Sequence, residues 1–509
     1  MHEMTSRREF LALTAAAAAT AACSKVETNG AKTMTTELTD LSATEAVALM
    51  RRGDLAALDY ATALVEQCGR WEHLNAWISF EPERVLESAR EADRLRASGA
   101  DTGLLHGLPI PVKDSVNTKD YPTTGGTRAL ADFHPADDAE LVKRLTAAGG
   151  IVMGKTNIHE LSFGWTSNNQ AFGAVRNPYD ASRIPGGSSG GTGAAIAARM
   201  APLGIAEDTQ GSIRVPAALC GVCGFRPTQN RYPNQGVVPI TPLFDQVGPH
   251  ARNAVDLALF DHVMTGEPLV ASPASLQGLR LGVAREYFYG ALDTEVERIT
   301  DDVLARLGDA GVVLVEADVP DLKRLIDATT AQVQLYHAMP MLTRYLKEFG
   351  TGLTFEEMMA EVSGDVAAVF ADFVLPGGTG TPSEADFVAA RDEHLPALRR
   401  TMQAYFASNR LDAMIFPATQ IAAPPIGEDF EVTLNGETVL FEPVISRNIS
   451  PGSTSGIPGI VIPAALNRDG LPVSLEIDGP AGSDLRLFGI GLALETLLGR
   501  LPAPMLPGA

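Results

Sequence analysis

Apolar positions along the chain alternate between helical and strand spacing. Residues 41–52 and 56–70 carry apolar side chains at helical intervals, and each stretch follows an aspartate, Asp40 or Asp54, placed to cap it. Residues 81–98 predict a third, charge-rich amphipathic helix. Residues 108–112 read as a buried strand with Lys113 at its end. A helix over 137–148 stops at Gly149-Gly150, and a short strand, 151–154, follows. A small-residue helix is expected over 191–199 and a strand over 203–206. Strands at 279–283 and 312–315 flank a helix at 294–310. Helices alternating with short apolar strands predict an α/β fold whose sheet is covered on both faces. The Pro/Ser-containing stretch 266–277 is the best internal boundary and reads as a bridge within one fold. Gly/Pro-rich loops fall at 373–383 and 419–428, the first interrupting a helix-rich stretch, 343–410.

With 509 residues and 45% hydrophobic positions, the chain is long enough to bury a large core. Its net charge of −22 argues against nucleic acid as a partner. The first residues are not part of that core. Ser6-Arg7-Arg8-Glu9-Phe10-Leu11 matches a twin-arginine export pattern, followed by an alanine-rich run to Ala22 that is too short to span a membrane. Residues 1–22 are therefore expected to be a signal peptide, residues 23–40 a polar tether, and the protein exported to the periplasm. Ala19-x-Ala21 fits ordinary cleavage. Thr20-Ala21-Ala22-Cys23 fits a lipid attachment site at Cys23, and both readings stay open.

The chemistry concentrates between residues 105 and 252. Ser188 and Ser212 both lie in glycine-rich turns, and Lys113 ends an apolar run. A serine needs a base to become a nucleophile, and a lysine can serve once burial lowers its pKa. Glycines beside a serine let backbone N–H groups approach a reacting carbonyl. Lysine plus two serines thus form a coherent acyl-transfer set. Asp208 and Arg214 bracket Ser212 and are expected to pair and hold its turn in shape.

The segments GLPIPVKD, GKTNIHELSFGW, GAVRNPYD, PGGSSGG, DTQGSIRVPAALCGVCGFRPT and DQVGPHAR, in that order, resemble the amidase signature family. Weaker similarity extends over residues 40–500. Within the family, RIPGGSSGGTGAAIAARMAP and EIDGPAGSDLRL resemble the indoleacetamide and mandelamide hydrolases. The resemblance implies a single amidase domain over 41–509, a mixed twisted sheet covered by helices, and a helix-rich roof over the pocket. It implies hydrolysis of a carboxamide C–N bond through an acyl-enzyme, with no metal and no organic cofactor. Ser212 is then the nucleophile, Ser188 a relay serine whose peptide is cis, and Lys113 the terminal base. The amides of Thr209, Gln210, Gly211 and Ser212 form the oxyanion hole. Ser189 supports the relay, and Ser162, Phe163 and Trp165 line the acyl pocket, whose aromatic content suits an apolar or aryl group.

One position departs from the family pattern. Gln210 stands where a glycine is usual, so it is strained if that position needs positive φ, and its side chain is free to shape specificity. Three alternatives stay open. The same machinery could act on carbamates, anilides, peptide amides or esters. A glutamine amidotransferase subunit usually continues Arg-Gln-Pro after the nucleophile, whereas this chain has Arg214-Val215-Pro216. An inactive binding protein would not need Lys113, Ser188 and Ser212 together. Oligomeric state, monomer or homodimer, is left open.

Other motifs have blander readings. Gly149-x-x-x-x-Gly154-Lys155-Thr156 matches a phosphate loop, but its interior is strand-like and its amides belong to a sheet. Gly186-x-Ser188-x-Gly190 matches a nucleophile elbow, with His250 the only histidine near a marked turn. His159-Glu160 lacks a second histidine for zinc and reads as a helix-surface pair. Cys220-x-x-Cys223 lacks further zinc ligands beyond Cys68, and both thiols are expected in a packed turn.

Overall fold

A computed structural model describes residues 38–506. The expected leader, Cys23 and most of the 23–40 tether lie outside the described residues. Residues 38–40, assigned to that tether, are helical. Among the described residues no helix is long and apolar enough to cross a membrane.

One sheet of eleven strands organises the molecule. In chain order the strands are β1 (Trp77–Phe80), β2 (Pro109–Lys113), β3 (Ile151–Thr156), β4 (Leu203–Asp208), β5 (Cys223–Arg226), β6 (Gln246–Ala251), β7 (Arg280–Val283), β8 (Val313–Glu316), β9 (Ala413–Pro417), β10 (Gly459–Leu466) and β11 (Pro472–Asp478). Their spatial order is β1-β3-β2-β4-β6-β5-β10-β11-β9-β7-β8. β3, β2 and β4 run parallel, as do β9, β7 and β8. The strands between them pair antiparallel. The sheet is therefore mixed, as the family resemblance implied. β2, β4, β5, β6, β9 and β11 are buried along their whole length, which requires cover on both faces, and helices supply it. The edge strands β1 and β8 carry no buried position.

The elements that the apolar pattern predicts are present near their expected positions, but their caps differ, and six of the eleven strands were not predicted. The helix Ala43–Arg52 is capped by Ser42, which exchanges hydrogen bonds with Glu45; Asp40 instead pairs with Arg199. The helix Ala57–Arg70 has Ala56 at its cap position. Its first amides, Ala57 and Leu58, donate to Asp93 at 2.9 and 3.0 Å, so a carboxylate from the next helix replaces the expected Asp54. β3 extends through Lys155 and Thr156, and Lys155 Nζ is buried against Asp114 Oδ1 at 3.3 Å and Thr123 Oγ1 at 2.7 Å. That burial disposes of the phosphate-loop reading.

Two short helices border the serine turns: α1 (Gly190–Ala197) and α2 (Arg214–Cys220), both entirely buried. α1 is built from small residues because backbone passes close on several sides. A Cβ on Gly191 would lie 2.4 Å from the Asn157 carbonyl oxygen and 2.5 Å from that of Ala76. The Gly191 amide donates to the same Asn157 carbonyl at 2.9 Å. Neither neighbour is a flexible side chain, so the clash cannot be relieved by a rotamer change. Gly191→Ala is expected to destabilise the fold by about 3 kcal/mol or more and to lower the thermal midpoint; an unchanged denaturation curve would show that the contact yields.

Candidate active site

The parallel pairing of β2 with β4, in register at Val112 and Ile205, carries Lys113 to the end of β4. The turn before α1 brings Ser188 to the same point. Lys113 Nζ lies 2.7 Å from Ser188 Oγ, 2.8 Å from Glu207 Oε2 and 3.2 Å from the Glu207 carbonyl oxygen. The lysine is completely buried. Burial pushes its pKa down, against the opposing pull of Glu207. A neutral amine has two hydrogens and one lone pair. Glu207 can take both hydrogens, and the lone pair then faces Ser188 Oγ. The Gly187–Ser188 peptide is cis. Ser189 Oγ donates to the Glu207 carbonyl at 3.1 Å, so it meets the lysine at a shared acceptor.

Ser212 lies in the turn between β4 and α2 and is slightly less enclosed. Lys113 and Ser188 are both 0% exposed, whereas Ser212 retains 5%. Among the described residues its hydroxyl has no hydrogen-bond partner. Its turn is held by Asp208, which accepts from the amides of Gly211 at 2.8 Å and Ile213 at 3.1 Å. Of the four amides expected to form the oxyanion hole, that of Gly211 donates to Asp208 instead. Positive φ falls on Gly211, at 102°, and not on Gln210. Gln210 is therefore unstrained, and its side chain turns to Thr454 Oγ1 at 3.3 Å.

Asp208 and Arg214 pair as the sequence predicts, at 3.0 and 3.1 Å. The pair belongs to a larger buried cluster. Arg214 also donates to Glu476 Oε1 at 2.6 Å and to Ser453, and Arg226 donates to Asp208 at 3.3 Å. Burial alone would raise the Asp208 carboxyl, but the two guanidinium groups hold it well below the usual range. Burial pushes the Arg226 guanidinium down to about 10, and Asp478, close to Glu476, well above a normal carboxyl.

The three residues expected to line the acyl pocket are divided. Trp165 is half-buried, and its Nε1 donates to the Gln210 carbonyl at 2.8 Å, fixing the indole against the nucleophile turn. Phe163 is half-buried and packs on Phe370 with ring centroids 4.6 Å apart. Phe370 comes from the helix-rich stretch expected to roof the site. Ser162 is buried and donates to Glu207 Oε2 at 3.2 Å, which ties it to the lysine's surroundings. The His159-Glu160 pair is not on a surface: both are buried, and Glu160 accepts the Ser363 amide at 3.0 Å. His250 is buried with Nε2 on the Ile213 carbonyl at 2.7 Å, a structural partner of the turn rather than a base for Ser188. Cys220 and Cys223 are buried thiols, and Cys220 lies 3.2 Å from the Pro185 carbonyl.

Sequence reasoning missed Glu207, Thr209 as a side chain, and Asp245. Thr209 Oγ1 lies 3.0 Å from Glu207 Oε1 and 2.8 Å from Asp245 Oδ1. The available signal was a glutamate directly before Asp208 in an otherwise apolar strand pattern.

A buried lysine–serine pair at the end of a mixed sheet is an arrangement able to support acyl-transfer chemistry. The Amidase family profile matches residues 61–488, and the chain belongs to that family. It is 39% identical over 446 residues to indoleacetamide hydrolase from Agrobacterium vitis, covering 88% of this chain and 94% of the relative. It is 36% identical over 486 residues to mandelamide hydrolase from Pseudomonas putida, covering 92% and 94%. A crystal structure of an amidase superposes with a TM-score of 0.81 at 29% identity, covering 90% of this chain and all of the other. The protein is an amidase.

Removing Arg214 tests the scaffold apart from the chemistry. Arg214→Ala leaves Asp208 and Glu476 buried without their main cation. The expected loss of stability is about 3–5 kcal/mol, read from urea denaturation; a loss under about 1 kcal/mol would mean that water or Arg226 replaces it.

Proposed function

We propose that this amidase hydrolyses carboxamides with apolar or aryl acyl groups through an acyl-enzyme on Ser212. The observation that carries the reading is the fully buried Lys113, 2.7 Å from Ser188 Oγ, with its remaining hydrogens directed at Glu207. Neutral Lys113 takes the proton of Ser188 Oγ, which takes that of Ser212 Oγ as Ser212 attacks the amide carbon. The amides of Thr209, Gln210 and Ser212 receive the oxyanion. The C–N bond breaks as the relay returns a proton to the leaving nitrogen. Water then attacks the ester on Ser212 by the same route, releasing the carboxylic acid. Trp165 and Phe163 supply aromatic surface on the acyl side, in keeping with the aryl amides named for the two hydrolase relatives. The Arg7-Arg8 leader carries the further reading that the enzyme is exported to the periplasm.

Ser212→Ala is expected to lower kcat by several orders of magnitude with the fold intact, and Ser188→Ala severely but with some residual turnover. Lys113→Ala should abolish most activity. In the wild type, kcat/KM should fall as pH drops through the depressed Lys113 pKa, because protonation removes the base. An active Lys113→Ala enzyme with a flat acid profile would end this assignment.

Specificity is tested by comparing phenylacetamide with acetamide. Burying an aryl ring contributes roughly 2–3 kcal/mol, so kcat/KM should favour phenylacetamide by roughly tens to hundreds-fold. Equal values would place the aromatic residues outside the acyl pocket.

A further inference from the structure

Beside the lysine lies a polar chain with no part in bond cleavage. Glu207 Oε2 faces Lys113 Nζ at 2.8 Å and the Ser162 hydroxyl at 3.2 Å. Glu207 Oε1 faces Thr209 Oγ1 at 3.0 Å, and Thr209 Oγ1 faces Asp245 Oδ1 at 2.8 Å. Asp245 Oδ2 accepts the amides of Ile240 and Thr241 at 3.0 and 2.9 Å. Glu207, Thr209 and Asp245 are all at least nine-tenths buried.

The Thr209 hydroxyl has one hydrogen and sits between two carboxyl oxygens. It can donate to only one. The other contact is a hydrogen bond only if that carboxyl carries a proton and donates it to the threonine. With both contacts made as hydrogen bonds, one proton resides on the Glu207–Asp245 pair. Glu207 already faces three donors, Lys113, Ser162 and Thr209, and suits the acceptor form. The chain then runs in one sense: Asp245 O–H donates to Thr209, Thr209 O–H to Glu207, and Glu207 receives the lysine's N–H.

We propose that Glu207 is a positioning residue that sets the protonation of Lys113, and that neutral Asp245, acting through Thr209, tempers the pull of Glu207 on the lysine. This rests on Lys113 acting as the base. A bare carboxylate 2.8 Å from the amine would favour the ammonium form, which cannot accept a proton. A hydrogen bond from Thr209 stabilises the Glu207 charge and weakens that pull. The direction of Asp245 agrees: burial and then the Glu207 charge push its carboxyl up to about 7. The charged and titratable groups facing Lys113 are Glu207 and Asp208 of β4, Asp245 ahead of β6, His159 after β3 and His250 of β6. Asp245 is faced by Glu207 and, across a surface cavity, by Arg344, Tyr345 and Glu348; His337 bonds the neighbouring Thr241.

The test is the acid limb of kcat/KM against pH, measured on phenylacetamide with the full-length enzyme. Glu207→Gln removes the charge that favours ammonium, so the limb moves to lower pH by about one to three units. Asp245→Asn keeps a donor to Thr209 and removes no charge, so the limb stays in place. Thr209→Val keeps the backbone amide but strips Glu207 of its donor, so the limb moves to higher pH. If Glu207→Gln fails to fold, the upward shift in Thr209→Val carries the test. An unmoved limb in a folded Glu207→Gln or Thr209→Val enzyme overturns the proposal. So does an Asp245→Asn limb displaced downward, which would mean that Asp245 is ionised in the working enzyme. An inactive Lys113→Ala enzyme alongside any of these results leaves the base assignment intact, whereas an active one removes that assignment itself.

Discussion

Lys113 is fully buried and out of reach of bulk solvent, and the surrounding structure is arranged around that condition. A fully buried amine keeps its proton only if nearby groups replace hydration; otherwise it becomes neutral and can act as a base. The structure supplies an intermediate answer. One carboxylate and one carbonyl from Glu207 hold the amine in place, and Ser188 occupies its third direction. Position is thereby fixed without full charge compensation. The parallel β2–β4 pair and the small-residue helix α1 follow from this need, because a bulkier helix could not bring Ser188 to a lysine at the end of a strand.

The Ser212 turn is stabilised by the opposite arrangement. Asp208 is matched by Arg214 and Arg226, and its charge is secure. It uses that charge to accept two amides of the Ser212 turn. One of these, from Gly211, had been expected to face substrate. Under the proposed mechanism, turn rigidity and oxyanion binding draw on the same few N–H groups, and the turn takes one. Gln210 is tolerated because the positive φ falls one residue later, at Gly211.

The apolar periodicity placed five of the eleven sheet strands and six helices; β1, β5, β6, β9, β10 and β11 went unplaced, because a short strand buried on both faces carries no alternation to mark it. The motifs at Lys113, Ser188 and Ser212 were legible, since glycine turns and a lysine after an apolar run are local features. Caps were misread where the capping group is distant, as with Asp93 serving the helix that begins at Ala57. The His159-Glu160 pair was misread because polar residues in sequence give no hint that the helix-rich region carrying Ser363 will cover them. Asp245 lies 36 residues beyond Thr209, and only the antiparallel pairing of β4 with β6 brings it near.

Glu207 and Asp208 show how one strand serves both networks. Successive side chains on a strand point to opposite faces. At the end of β4 this alternation sends Glu207 to Lys113 and Asp208 to Arg214. Neighbouring carboxylates therefore meet a lysine whose pKa burial lowers and an arginine that keeps its charge. A one-residue slip of β4 would exchange them, placing the arginine's carboxylate at the base and leaving the turn amides without their acceptor. The register of β4 against β6, paired from Leu203–Ala251 through Asp208–Gln246, is what keeps the two charges apart. The electrostatics around Lys113 and around the Ser212 turn are in this sense one decision, made by the pleat of a single strand.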